Sequence, residues 1–420
     1  MKQILTLILT LLTCLPLIKA QHTIEKCGTE HLFQQYAERH PEAFGRRAAM
    51  EAFTQQWIAE HQYDLAARND SLITIPLVVH ILRHPDQDIY FSDYQIQAQI
   101  ASLNADFQMR NLNQNIIPDE FRPFQSNINF EFCLASFSPD GQPTSGINRV
   151  TTEIPEIGNF RLAVDQRGNF RLFRSDLGGQ DAWDPAHYLN VWVADTGNAF
   201  LGYGVRPGEL EPHEDGIIVD TRYFASSCQD DTPHLGKTMT HEVGHYFNLQ
   251  HPWGSAMNCD SDDGVSDTPR QERDYTGCPV YPVASCGSND MFVNFMDYSD
   301  DACLAMFTEG QRMRMLAALN GPRASLLSSN GCGLLRPDPT EQLTVFPNPA
   351  TNCIHIDLDT EEEALANVRL LDAAGRMVYE SNDLPRNILS IYTEGLSRGM
   401  YIVQVRVRQT TYSTKVIVMN

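Results

Sequence analysis

A chain of 420 residues and 47.4 kDa exceeds one ordinary core and points to two or three domains. With 42% hydrophobic and 20% charged residues it is neither disordered nor a multi-span membrane protein. Its 53 acidic residues outweigh 31 basic ones, and the resulting net charge of −22 repels phosphate and anionic lipid, which excludes a general binder of nucleic acid or membrane surfaces.

In chain order, Lys2 is followed by an apolar run from Ile4 to Ile18 and then by Lys19-Ala20-Gln21, the layout of a secretory signal peptide (1–20) cut after Ala20. The run is short for a membrane span and no other stretch is long enough, so no span is expected in the mature chain. Export permits disulfides, and of the ten cysteines Cys14 leaves with the signal, so at least one of the rest is unpaired. Residues 21–70 are polar, with helix-like stretches around Glu30–Arg39 and Ala48–His61 flanking Pro41 and Gly45, and read as a propeptide.

Leu72 to Leu82 is β-branched and apolar, a buried strand with Pro76 at an edge or a bulge. Ser92-Asp93 precedes Ile96, Ile100, Leu103 and Phe107 at helical spacing, which predicts a capped amphipathic helix. Asn127–Leu134 and Tyr188–Val193 read as further strands, so the first half is mixed α/β. Gly331-Cys332-Gly333 and Pro337-Asp338-Pro339 announce a linker (334–342). Beyond it, short strands around 343–346, 353–358, 368–371, 377–379, 400–405 and 414–418 predict a small all-β sandwich over 343–420.

The chemistry is concentrated in Thr238-Met239-Thr240-His241-Glu242-Val243-Gly244-His245-Tyr246-Phe247-Asn248-Leu249-Gln250-His251. On a helix His241 and His245 project from one face, and Glu242 beside them can reach a metal-bound water without ligating. On a continuing helix His251 would point about 240° away from His245 and lie ~9 Å further along, so the helix must end between them. Asn248 is the residue there most tolerant of positive φ after glycine. The string fits three ligands of a tetrahedral zinc with the fourth position open, whereas a structural zinc is ordinarily closed by a fourth protein ligand. Other histidines (His80, His84, His187, His213, His234) lack ligand spacing and read as structural. Cys259, Cys278, Cys286 and Cys303 lie in a loop-rich stretch without any short C-x₂₋₄-C pair, so two local disulfides are expected in place of a core, with three pairings open. The states of Cys133, Cys228, Cys332 and Cys353 are left open.

With Asn294-Phe295-Met296-Asp297-Tyr298 further on, the sequence resembles the metzincins and more narrowly the pappalysin family, across roughly residues 70 to 320. Supporting strings include Gly178-Gly179-Gln180-Asp181, Leu201-Gly202-Tyr203-Gly204, Asp215-Gly216-Ile217 and Met306-Phe307-Thr308. The departure is Asn248, where the family has glycine. The resemblance implies an α+β zinc-protease domain (71–333) with a mixed sheet, an active-site helix and a loop-rich lower half, followed by the Ig-like sandwich. It implies zinc on His241, His245 and His251, Glu242 as general base, Met296 as the apolar floor of a Met-turn, and Tyr298 as donor to the oxyanion. It also implies disulfides Cys259 with Cys286 and Cys278 with Cys303, and calcium near Asp263, Ser266 and Thr268.

Asp301 occupies the position that lines the primed-side pocket in such enzymes, where an acid favours Arg or Lys after the scissile bond. Cys27-Gly28 resembles the propeptide cysteine of latent metzincins, a soft ligand that would hold the zinc until the leader is cut, with Arg46-Arg47 as the expected cut. From Leu343, through Val345-Phe346-Pro347-Asn348-Pro349, the tail resembles the sorting domain of type IX secretion. The expected protein is therefore a latent zinc endopeptidase acting on proteins or peptides. It would be exported through the periplasm by the type IX machinery to the cell surface or the medium. The rival reading is a non-catalytic surface adhesin with a structural metal.

Overall fold

Strand by strand, hydrophobic runs alternate between two cores. The computed structural model describes residues 24–61, 72–87, 89–225 and 234–332, and in the tail 342–346, 348–350, 353–359, 366–384, 389–393, 395–407 and 410–419. The expected signal peptide, the end of the leader (62–70), Cys228 and nearly all of the 334–342 linker lie outside the described residues.

The leader forms β1 (Glu25–Cys27), α1 (Thr29–Ala37) and α2 (Glu42–His61). The α2 helix is longer than expected because it starts directly after Pro41 and runs through Gly45. Arg46 and Arg47, the expected cut, therefore sit inside a helix: Arg46 Nε donates to Gly208 O at 2.8 Å, and Arg47 Nε pairs with buried Glu209 at 3.0 Å.

The central unit follows with β2 (Ile73–Arg83), α3 (Asp93–Phe107), β3 (Phe130–Leu134), β4 (Ile147–Thr151), β5 (Leu189–Ala194), β6 (Phe200–Gly204) and β7 (Ile217–Asp220). Then come α4 (Lys237–Tyr246), a hairpin of β8 (Ala284–Ser285) and β9 (Ser288–Asn289), and α5 (Glu309–Leu319). Ser92 and Gln95 close a capping box at the start of α3, satisfying donors that a helix start leaves free.

The seven-stranded sheet has the order β1-β6-β7-β5-β2-β3, with β4 also on β2. β2 is long enough to pair Ile73–Leu77 with β3 and Val79–Arg83 with β4 along the same edge. Pro76 precedes the first β5 partner at Leu77, so β2 has a neighbour on one side only where the proline lacks its N–H. All ladders are parallel except β6 with β7, and β1 of the leader adds to the outer edge of β6 in parallel, Cys27 opposite Gly202.

β5 is buried on both faces and alternates between the cores. Leu189, Val191 and Val193 join the cluster with α3 and α4, while Trp192 and Ala194 join the cluster with Leu32, Phe33 and Tyr36 of α1. His80 is wholly buried, with Nε2 against Asn190 Oδ1 at 3.0 Å, in keeping with a structural role.

A disulfide between Cys133 on β3 and Cys332 ties the end of this unit to its sheet. The tail has a three-stranded sheet of β10 (Gln342–Phe346), β11 (Cys353–Asp359) and β14 (Leu389–Tyr392), and a four-stranded one of β12 (Ala366–Asp372), β13 (Met377–Leu384), β15 (Gly399–Val407) and β16 (Thr410–Val418). Ile354, Val368, Leu370, Val403 and Val416 share its core. β14 had no counterpart in the sequence reading. Cys353 is disulfide-bonded.

Candidate metal centre and its surroundings

The α4 helix is only ten residues long and ends at Tyr246. Asn248 then takes φ +70, the left-handed turn that the spacing of the histidines demands. Its side-chain amide donates to Thr54 Oγ1 of α2 at 2.9 Å, and its carbonyl accepts from the buried Arg314 guanidinium at 3.1 and 3.2 Å, so the strained turn is held from both sides. His251 returns to the face of α4. His251 Nε2 lies 3.2 Å from His241 Nε2 and 3.0 Å from His245 Nε2.

The opposite ring nitrogens are anchored, His241 Nδ1 at 2.8 Å from Phe295 O and His245 Nδ1 at 2.9 Å from Leu249 O. Those carbonyls can only accept, so both Nδ1 atoms carry the proton and both Nε2 lone pairs point inward. Burial pushes the His241 pKa down to about 4, and burial with the neighbouring imidazoles pushes His245 and His251 well below the ordinary value. Three neutral imidazoles aimed at one point in a buried setting suit a borderline-soft cation such as zinc.

Cys27 completes the cluster: its sulfur and the three imidazole donors lie within 4.8 Å of one another. Cys27 is buried and free, and Sγ is 3.4 Å from Glu242 Oε2 and 3.2 Å from Thr29 Oγ1. The Thr29 hydroxyl exchanges bonds with the Gly204 backbone, donating to O at 3.1 Å and accepting from N at 2.9 Å. Burial raises the Glu242 carboxyl well above its usual range, and Glu242 Oε1 has no protein hydrogen-bond partner among the described residues.

Two glycines of the site are explained by close approach. A Cβ on Gly244 would sit 2.4 Å from Met296 Sδ, and one on Gly204 would sit 2.4 Å from Glu242 O. The methionine therefore packs directly beneath the helix that carries the histidines, where the resemblance had put the floor of the Met-turn. Tyr298 packs its ring 5.0 Å from His251 and 4.8 Å from Trp253.

Asp301 borders a hollow beside the centre with Leu201, Thr238 and Leu304. Its Oδ2 accepts from the backbone N–H of Leu235 at 2.8 Å and of Lys237 at 3.1 Å. Asp263 and Thr268 meet, the Thr268 hydroxyl lying 2.8 and 2.9 Å from the two carboxylate oxygens, whereas Ser266 is exposed. Burial lifts the Asp263 carboxyl to about 7. Disulfides join Cys259 to Cys286 and Cys278 to Cys303 in the loop-rich half.

The family model for pregnancy-associated plasma protein-A peptidases matches residues 174–320, and that for the secretion system C-terminal sorting domain matches residues 344–419. An extracellular metalloprotease of Trichophyton verrucosum is 32% identical over 199 residues, covering 44% of this chain and 73% of that protein. The chain belongs to the pappalysin family.

A second pappalysin relative, an extracellular metalloprotease of Uncinocarpus reesii, is 28% identical over 68% of this chain and 91% of its own. Among solved structures, mature mirolysin of Tannerella forsythia in complex with a cleaved peptide is 36% identical with TM-score 0.56, covering 61% of this chain and 96% of that one. A promirolysin mutant from the same organism is 32% identical with TM-score 0.62, covering 72% and 97%. This pappalysin is thus a secreted or cell-surface zinc metalloendopeptidase with a type IX sorting tail, and not the adhesin of the rival reading. Among the described residues no helix is long and apolar enough to cross a membrane.

Proposed function

We propose that this pappalysin is made as a latent zymogen and hydrolyses protein substrates on the amino side of Arg or Lys, with His241, His245 and His251 holding zinc and Glu242 moving the proton. The observation that carries the proposal is the convergence of three buried, neutral imidazoles directly beside a buried carboxylate. When bound, zinc supplies a Lewis acid that polarises the scissile carbonyl and acidifies water.

The remaining work falls to side chains of this chain. Glu242, on the residue after His241, takes a proton from the attacking water and returns it to the departing amine nitrogen. Tyr298, ring-packed against His251 and Trp253, directs its hydroxyl to the oxyanion. Met296 keeps the floor under α4 apolar and closely packed. In the latent form Cys27 presents sulfur to the same three imidazoles, and the segment 21–70 acts as propeptide behind a signal peptide of residues 1–20. Asp263 and Thr268, with backbone oxygens near Ser266, offer a calcium site in the loop-rich half. Asp301 in the hollow beside the centre supports the preference for a basic side chain.

Glu242→Gln tests the assignment: the processed, zinc-loaded variant should lose at least about a thousandfold in kcat with its zinc content unchanged. Retention of casein cleavage within tenfold of the parent would sink it.

A further inference from the structure

Asp297 is a buried acid to which the mechanism above gives no task. It stands between the methionine under α4 and the tyrosine beside the metal centre, and is only 2% exposed. Its two oxygens gather three N–H donors. Oδ1 accepts from the backbone of Tyr275 at 3.0 Å and of Tyr298 at 2.5 Å, and Oδ2 accepts from the side-chain amide of Gln271 at 2.5 Å. Among the described residues no cation pairs with it, and burial pushes its carboxyl up to about 7. A carboxylate kept in such a place without a counter-ion costs stability, so packing alone does not account for it.

The start of the same turn has its own anchor, because the Asn294 amide exchanges hydrogen bonds with Gln311 of α5 at 2.9 and 3.0 Å. Asp297 anchors the end of the turn, and to a different segment: Gln271 and Tyr275 lie within the loop that Cys259–Cys286 closes. Tyr298 lines the hollow with His241 and Glu242, and His251 and Trp253 confine its ring. Those rings leave open the point from which the side chain springs. Because a tyrosine hydroxyl lies at the far end of a long side chain, a backbone swing of about 10° moves it by about 1 Å, enough to cost up to about a hundredfold in rate.

We propose that Asp297 is a positioning residue for the reaction: by tying the Tyr298 N–H to the 271–275 segment, it sets where the Tyr298 hydroxyl meets the oxyanion. Gln271 shares the task through Oδ2. This rests on the role given to Tyr298 above.

The test is a double-mutant cycle on the processed, zinc-loaded enzyme. Asp297→Asn keeps the shape but turns an NH₂ group toward one of the donors, and Tyr298→Phe removes the hydroxyl. For the parent, both single variants and the double variant, kcat and KM are measured on one fluorogenic peptide, alongside zinc content and thermal melts. Tyr298→Phe should lower kcat about a hundredfold. Asp297→Asn should lower kcat about tenfold with KM within about twofold and zinc unchanged, yet by less than about twofold once the hydroxyl is gone. Gln271→Ala, which removes one donor and leaves the carboxylate, is the milder variant should Asp297→Asn not fold. It should lower kcat about threefold, again only while the hydroxyl is present. Equal losses with and without the hydroxyl, or full kcat in a folded Asp297→Asn, overturn the positioning role and leave Tyr298 its own. Full kcat in Tyr298→Phe sinks the oxyanion role itself, and the part of Asp297 with it.

Discussion

His80 shows how a histidine without ligand spacing still shapes behaviour. It lies on β2 between β4 and β5, neutral, with one ring nitrogen satisfied by Asn190, and burial holds its pKa down to about 4. In the unfolded chain it titrates near ~6.5. Its contribution to stability is therefore complete above about pH 6.5 and drains away as pH falls toward 4, because only the unfolded chain then gains the proton. The full effect is about 3 kcal/mol at ~1.4 kcal/mol per pKa unit. His80→Gln should melt lower at pH 7 but lose less stability between pH 6.5 and 4.5 than the parent. Parallel melting curves for the two proteins over that range would contradict this.

At the same scale, the zinc string could be read from the sequence because its ligands are fixed by helix geometry and one turn. The bracing of the helix start by Asp301 could not be, since nothing local shows that its carboxylate meets the Leu235 and Lys237 N–H groups.

Among the elements, α2 deserves the closest physical scrutiny because it carries Arg46-Arg47. A protease binds its substrate extended, and here the bond lies in a helix whose far end is clamped to the catalytic unit: Glu51 pairs with Arg314 at 2.6 and 2.8 Å, and Thr54 meets Asn248. Cutting requires local opening, so its rate should follow the free energy of that opening. Glu51→Ala strips the carboxylate from a buried guanidinium. After discounting for the exposure of Glu51, the loss is about 1–2 kcal/mol, which should speed trypsin cleavage at Arg46-Arg47 roughly tenfold. N-terminal sequencing of timed digests reads this directly, and equal rates in both proteins would refute the clamp.

Elements differed in how openly the sequence declared them. α3 was legible because Ser92 and Gln95 cap an apolar period. α5 carries an equally good capping box at Thr308 and Gln311, yet Gly310 and the buried Arg314 break the amphipathic pattern, since this helix is packed nearly all round. β6 was obscured for another reason: Gly202 and Gly204 look like turn residues, but they let the Glu242 segment lie against the strand.

Across the whole molecule, acidic excess and disulfides describe how the chain is adapted to life outside the cell. The tail sandwich was legible through short alternating strands and turns, although the brief β14 was not. The mixed sheet was only partly so, because parallel strands buried on both faces show no alternation to read. The pairing Cys133–Cys332 was beyond sequence reasoning, as its two ends are 199 residues apart.

That bridge encloses every backbone bond from residue 133 to residue 332, and Cys259–Cys286 and Cys278–Cys303 interlock within it. A single nick anywhere in this span, even in the exposed loops below the metal centre, leaves both pieces covalently joined. An endopeptidase working among its own copies is its own commonest hazard, and this connectivity turns self-inflicted damage into a scar. Aged enzyme should therefore contain molecules heavier by one water that stay whole until reduced, whereas release of fragments from this span without reductant would show that the ring does not hold.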